Sequence, residues 1–226
     1  MTTQQDTKKK MIIDLHVHSS PASPCSSAPI DELIEEAKKI ELDGICITDH
    51  NYVWDPSDVE DLRQKHGFLI LRGNEITTNQ GDILVFGMDT DIQGIIKLEE
   101  LREQVLDAGG IMIAAHPFRG FKVFGVGQLG LSTEQAMERA VFRSVDAIEI
   151  LNGRVTEAEN ALSSEVAQGL QIPATGGSDA HEVQEIGVYA TQFSNTIHDE
   201  NSLIEAIKKG TCNAIAYRKQ RRKGEI

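Results

Sequence analysis

Eight short apolar runs, each stopping abruptly at polar residues, decide most of what this chain can fold into. They are MIIDLHVH (11–18), GICITDHN (44–51), FLILRGNE (68–75), DILVFG (82–87), IMIAAHP (111–117), AIEILNG (147–153), IPATGGSDAH (172–181) and NAIAY (213–217). Their length and near-continuous apolarity suit strands buried on both faces, as in a parallel sheet or barrel. Between them lie segments with helical period. PIDELIEEAKKI (29–40) opens with Pro29 and acidic residues and ends in lysines, matching the helix dipole. Ser57 with Glu60 reads as a capping box for DVEDLRQKH, and Ser132 with Gln135 as one for TEQAMERAVF. KLEELREQVLDAGG, VTEAENALSSEVAQG and NSLIEAIKKG each close on glycine. Strand and helix in alternation predict an α/β domain with right-handed crossovers.

Residues 120–130, GFKVFGVGQLG, fit neither pattern and read as a long loop after a strand end. No linker divides the chain. The expected organisation is a polar tail over 1–10, one domain over 11–217 and a basic tail over 218–226.

The polar opening MTTQQDTKKK lacks the apolar core of a signal peptide, and no apolar stretch approaches the roughly 20 residues of a membrane span. A cytoplasmic protein with no membrane partner is expected. Cys25, Cys46 and Cys212 are scattered without a CxxC pattern, which argues against a disulfide framework. A net charge of −13 argues against an extended nucleic-acid surface. It leaves room for a nucleotide, because bound divalent cations reverse the local potential. The basic run RKQRR (218–222) reads either as a solvated tail or as a contact for an anionic ligand.

The ionisable residues fall where the runs end. His16 and His18 close the first, Asp49 and His50 the second, Glu75 the third, His116 the fifth, and Asp179 with His181 the seventh. In parallel α/β folds these strand ends converge on one side, where sites are built. Residues two apart in a strand share a face, so HxH presents two imidazoles side by side. Gathering five imidazoles and three carboxylates with no counter-cation would be costly in desolvation and repulsion. A metal centre follows. Histidine mixed with carboxylate and no thiolate suits Zn²⁺, Mn²⁺ or Fe²⁺. Eight ligands exceed the needs of one ion, so two or three divalent ions are expected, with Glu75 as the best bridging carboxylate.

The motifs DLHVHS, ITDHN, GNEIT, AAHPF and GGSDAH, in this order over roughly residues 11–190, resemble the PHP (polymerase and histidinol phosphatase) family of metal-dependent phosphoesterases. The resemblance is to its small stand-alone members. It implies a distorted seven-stranded (β/α)7 barrel with a metal cluster at the strand C-terminal ends. Carried over, His16, His18, Glu75 and Asp179 match ligands of a first metal. Glu75 would bridge to a second that His116 also binds, and His50 and His181 match ligands of a third. Asp49 would either bind metal or orient His50. Two positions depart from the family pattern. Ser23 and Pro24 stand where a further Asp or His ligand is usual, with Cys25 as a conceivable substitute. GDILVFG replaces GHLLVFG, so Asp82 would have to stand in for a histidine.

The resemblance implies hydrolysis of a phosphate ester of a small metabolite, nucleotide or short oligonucleotide by metal-activated water. Asp179 or His181 would double as proton shuttle. Arg119 and Arg154 follow strand ends and are candidates to clamp the phosphate. Asn51 and Asn152 are either hydrogen-bond donors near the cluster or turn residues. Tyr52, Trp54, Phe118 and Phe121 either wall a ring-binding site or simply pack. Two rival readings remain: an amidohydrolase-type metallohydrolase, which shares the HxH opening, and a degenerate metal-binding module without catalysis.

Overall fold

The computed structural model describes residues 10–120 and 132–218. The polar tail over 1–9, the glycine-rich stretch from 121 to 131 with Phe121, and the basic tail beyond Arg218 lie outside the described residues.

β1 (Met11–Val17), β2 (Gly44–Ile47) and β3 (Leu69–Thr78) run parallel, joined through α1 (Ile30–Lys39) and α2 (Pro56–His66). The chain then turns back into β4 (Gly81–Phe86), antiparallel both to β3 and to β5 (Ile111–Ala114), with α3 (Leu98–Asp107) between β4 and β5. β5, β6 (Ala147–Asn152) and β7 (Ala174–Gly177) are parallel again, connected by α4 (Thr133–Met137) and α5 (Glu157–Leu170). β8 (Ala190–Phe193) pairs antiparallel with β1, and β9 (Cys212–Ile215), reached through α6 (Glu200–Lys208), pairs antiparallel with β8.

The sheet order is β7-β6-β5-β4-β3-β2-β1-β8-β9. The sheet curls until the end of β7 meets β1. There the His18 N–H donates to the Ala180 carbonyl at 2.9 Å and the Asp179 N–H to the His16 carbonyl at 2.8 Å. The result is an α/β fold with a nearly closed, barrel-like sheet.

Two expectations need correction. Among the described residues the sheet has nine strands rather than seven, and β4, β8 and β9 run antiparallel to their neighbours. Only Asn79 and Gln80 separate β3 from β4. A parallel return needs a crossover of about a dozen residues or more, so a hairpin is the only solution. β8 is a four-residue strand whose polar Thr191 and Gln192 break any apolar run.

The helices follow the expected segments, with shifted ends. α2 is capped by Asp55, whose carboxylate accepts the Ser57 N–H at 2.8 Å, so it starts before the expected Ser57 cap. The Ser132–Gln135 capping box forms, but α4 stops at Met137 and one 3-10 turn follows at Ala140–Arg143. α5 runs through Gly169 and ends on Gln171 at φ 56. Gly169 serves packing rather than capping: a Cβ there would lie 2.5 Å from the Met137 sulfur.

One core cluster joins Ile13, Leu15, Leu71, Phe86 and Ile113 to Leu203 and Ile207 of α6. A second seats α3 and α5 against β4 and β5, and a third seats α1 against β1 and β2. Among the described residues no helix is long and apolar enough to cross a membrane.

Candidate metal centre

The first two imidazoles owe their direction to an irregular strand. Pairing of β1 with β2 slips by one residue between Asp14 and Val17. In a regular strand Leu15 and His16 would face opposite ways. The bulge puts both on one side. Leu15 packs with Leu71 in one core cluster, and His16 meets Glu75, which shares the Leu71 face of β3.

His16 Nε2 and His18 Nε2 lie 3.0 Å apart. Glu75 Oε2 is 3.4 Å from the first and 3.2 Å from the second, and Asp179 Oδ1 is 3.6 Å and 3.3 Å from them. Four donor atoms thus face one point. In tetrahedral coordination with bonds of about 2.0–2.1 Å, ligand atoms stand about 3.4 Å from one another. Asp179 Oδ1 is buried and has no hydrogen-bond partner, an arrangement an ion would relieve. The donor set fits a divalent metal.

Further groups adjoin this one. Glu75 Oε1 is 2.9 Å from His116 Nε2, and Asp82 completes a group with them in which all ligand atoms lie within 4.8 Å of one another. Asp82 reaches the centre because β4 is antiparallel: its first residues lie beside the last residues of β3 and β5, with Asp82 opposite Thr77. His18, His50 and His181 form another such group, with His50 Nδ1 also 3.2 Å from Glu75 Oε2. The strand-end residues are therefore brought together as expected, with His18 shared between the inner and outer groups.

Asp49 points elsewhere. Its Oδ1 accepts from the Ser19 N–H at 2.6 Å and the Ser23 hydroxyl at 2.7 Å, and its Oδ2 from the Ser19 hydroxyl at 2.6 Å and the Trp54 indole at 2.7 Å. Four donors occupy it, and it belongs to none of the metal-capable groups. Just past β2 the backbone of Asp49–Asn51 still bridges to Glu75, and the neighbouring side chains turn to opposite sides, His50 to the centre and Asp49 to the loop behind it. Ser23 links the two, lying 3.3 Å from His18 Nδ1 and accepting the His50 N–H at 3.0 Å. Cys25 is exposed and joins no metal-capable group.

Sequence reasoning missed Glu149. This residue of β6 is 1% exposed. Its Oε1 lies 3.0 Å from His16 Nδ1, while its Oε2 accepts the His116 N–H at 2.9 Å and the Asn152 amide at 2.9 Å. The signal was available, since a lone glutamate inside an apolar strand must be paired or hydrogen-bonded. Gly177 leaves the space for this contact: a Cβ there would sit 2.4 Å from the His16 Cβ and 2.8 Å from Glu149 Oε1. Asp14, equally buried, was also passed over. It accepts backbone N–H groups of His16, Ser178 and Gly187, and burial raises it to about 6.

The two arginines differ. Arg119 is half-exposed, lies 3.5 Å from Asp179 Oδ2, and shares a cleft of about 360 Å³ with Asp82 and His116. Arg154 is taken up by Glu185 at 3.1 Å, and Glu185 in turn accepts the His181 N–H at 2.8 Å. Arg154 thus steadies the turn that carries His181. Asn152 donates to Glu149 and, at 3.2 Å, to Asp179. Phe118 is buried in the core against Phe142, so packing is its role.

Charge is distributed unevenly. Burial alone would pull His16 down, but Glu149, Asp179 and Glu75 together hold it well above its usual value. His116 is raised against its burial by Glu75 and Glu149. His50 and His181 are lowered, first by burial and then by the nearby imidazole of His18. Burial opposes ionisation of Glu75 and Asp179, yet the surrounding histidines hold both below the usual carboxylate range.

Fold and site together define a barrel-like α/β protein with a cluster of histidines and carboxylates able to hold metal at one end of its sheet. The profile of the PHP domain matches residues 14–152 and that of the PHP-associated region residues 157–212, so the chain belongs to the PHP family. It is 31% identical over 192 residues to the uncharacterized protein MJ0417 of Methanocaldococcus jannaschii, spanning 81% of this chain and 71% of that one. Its fold is similar to that of a two-domain protein from Bacteroides vulgatus described as containing a predicted PHP-like metal-dependent phosphoesterase. That match has a TM-score of 0.71 and 19% identity, covering 94% of this chain and 66% of the other. A lesion-specific endonuclease of Pyrococcus furiosus, PfuEndoQ, is similar with a TM-score of 0.62 and 16% identity, over 91% of this chain and 58% of that one. At such identities the solved structures speak for the fold alone.

Proposed function

We propose that this protein hydrolyses a phosphate ester of a small metabolite, nucleotide or short oligonucleotide, using two or three divalent ions of the Mn, Zn or Fe type. His16, His18, His50, Glu75, Asp82, His116, Asp179 and His181 hold them. The observation that carries this reading is the convergence of His16, His18, Glu75 and Asp179, with one buried carboxylate oxygen left without a donor. Ions bound there supply Lewis-acid activation of water and offset charge on the phosphoryl group.

The chain's own residues do the rest. Glu149 holds His16 by Nδ1, which keeps Nε2 turned to the centre. Arg119 offers its guanidinium to a phosphoryl oxygen at the mouth. Of the two expected proton carriers, His181 is the better placed. Asp179 is held ionised by the surrounding imidazoles, whereas burial lowers His181, which would carry a proton only where its ring is not engaged by an ion. Asp49, expected either to bind metal or to orient His50, takes the second role by fixing the loop behind His50, and Arg154, expected as a clamp, fixes the turn behind His181.

Metal analysis of the purified protein, followed by Mn²⁺-supported assays on phosphomonoesters and dinucleotides beside amides and lactones, tests the reading. Bound metal with phosphoester turnover is expected, and both should fall in His116→Ala. Turnover of amides or lactones alone would favour the amidohydrolase-type reading. Tight metal with no turnover of any of them would favour the non-catalytic module.

A further inference from the structure

A second cleft, of about 540 Å³, opens at the outer end of the centre and shares no lining residue with the cleft that holds Arg119. His50 forms part of its wall, so the cleft is continuous with the outer metal-capable group. Among the described residues no lysine, arginine, aspartate or glutamate lines it. Pro21, Pro24, Tyr52 and Trp54 give it apolar faces, and the Asn51 and Gln93 side chains supply neutral amides.

The aromatic wall is built rather than incidental. Trp54 is held by its indole N–H, which donates to Asp49 Oδ2 at 2.7 Å, and Asp49 is itself fixed by Ser19 and Ser23. Tyr52 stands edge-on to Trp54, with ring centroids 6.3 Å apart at 65°, and is 37% exposed. A rigid indole beside an uncovered phenol is a platform for a flat ring. Carboxylates stand just behind this wall: Asp91 Oδ1 accepts the Val53 N–H at 2.8 Å and Asp49 Oδ2 the Trp54 indole at 2.7 Å. An additional anionic group on this side would be repelled.

We propose that this cleft binds the alcohol portion of the substrate, and that this portion carries a flat, uncharged aromatic or heteroaromatic ring seated against Tyr52 and Trp54. The inference rests on the phosphoesterase reading and narrows it. Hydrolysis adds the oxygen of water to phosphorus and breaks the bond from phosphorus to the alcohol oxygen. That oxygen leaves with a proton, so the ring-bearing alcohol is the leaving group. Nucleoside monophosphates and aryl phosphates are then preferred over ringless sugar phosphates and over bisphosphates.

Trp54 is the single tryptophan of the chain, so its fluorescence reports directly on the cleft. Adenosine and ribose, both without phosphate, are titrated into the metal-loaded protein. Adenosine should change the emission and ribose should not. Tyr52→Ala should weaken adenosine binding about tenfold, and Tyr52→Phe should restore it, with metal content unchanged in both. In turnover, Tyr52→Ala should raise KM for 2-naphthyl phosphate about tenfold and leave that for glycerol 2-phosphate unchanged. Equal responses to adenosine and ribose, or an equal change in KM for both esters, would overturn the inference. Adenosine binding without phosphoester turnover would support the cleft and defeat the phosphoesterase reading. Turnover of both esters with equal KM and no adenosine response would do the reverse.

Discussion

The inner and outer ends of the centre use the same side chain and give it opposite electrostatics. At the inner end His16 and His116 are almost fully buried, yet Glu149, Asp179 and Glu75 raise both. At the outer end, where the His50 side chain is 32% exposed, burial and the neighbouring His18 lower both His50 and His181. Burial pushes every one of these imidazoles in the same direction, so carboxylate density decides the sign. The inner end holds negative charge in reserve for a cation. The outer end presents near-neutral imidazoles to solvent and to whatever enters the neighbouring cleft. An ion at the inner end should be held tightly, and one at the outer end should exchange.

The largest test of this contrast removes the carboxylate behind the inner end. Glu149→Gln keeps the shape but sets an amide against His16, the His116 N–H and the Asn152 amide. Inner-site metal affinity should fall about 10- to 100-fold, read by competition with a chelator. The metal-free protein should lose about 1–3 kcal/mol in denaturant unfolding, because a buried donor is left unmatched. An unchanged metal affinity would show that carboxylate density does not set the inner end.

A middle-sized effect is expected at the other end. His50→Ala should remove one ion per chain at most, leave the tightly held metal within about twofold, and change stability by no more than about 0.5 kcal/mol. Loss of all metal in this variant would erase the distinction between the two ends.

The smallest effect is on pH dependence. In the metal-free protein the raised inner histidines add stability that is full below about pH 6.5 and is lost as pH climbs through their folded-state values. The depressed Glu75 and Asp179 add stability above about pH 4 that is lost as pH falls. The contribution of these four groups to the metal-free protein is therefore greatest in the mildly acidic window. Loaded protein should shift toward neutral pH, because ligation requires deprotonated imidazoles. Adding Mn²⁺ to weakly buffered protein near pH 7 should release protons, visible with an indicator dye. No release would mean the inner histidines are already neutral.

The parts of this centre that could be read in the chain are those whose signal is local. HxH in a strand, DH at the end of the next and DAH at the end of a later one announce ligands by type and spacing. Asp82 was legible only as a substitution in a motif. Its reach depends on β4 running antiparallel, which the six residues between FLILRGNE and DILVFG, too few for a parallel crossover, already favoured. Glu149 was not read, because one acid in AIEILN is ambiguous until His16 and His116 are seen around it. The role of Asp49 stayed open between ligand and support for His50, because adjacency in sequence hides which way each side chain turns. Arg119 and Arg154 looked equivalent, and only the position of Glu185 separates them.

By itself the sequence determined the alternation of buried strands and helices, the gathering of histidines and carboxylates at strand ends, and the need for a counter-cation among them. Those follow from side-chain chemistry and from periods of two and 3.6 residues, which are properties of the chain. Only the tertiary structure decided the nine-stranded count, the bulge that turns His16 inward, the placing of Glu149 behind it, and the difference between the inner and outer imidazoles. Each of these depends on which distant groups share a space of a few ångströms, and burial and field strength are set by that company rather than by position along the chain.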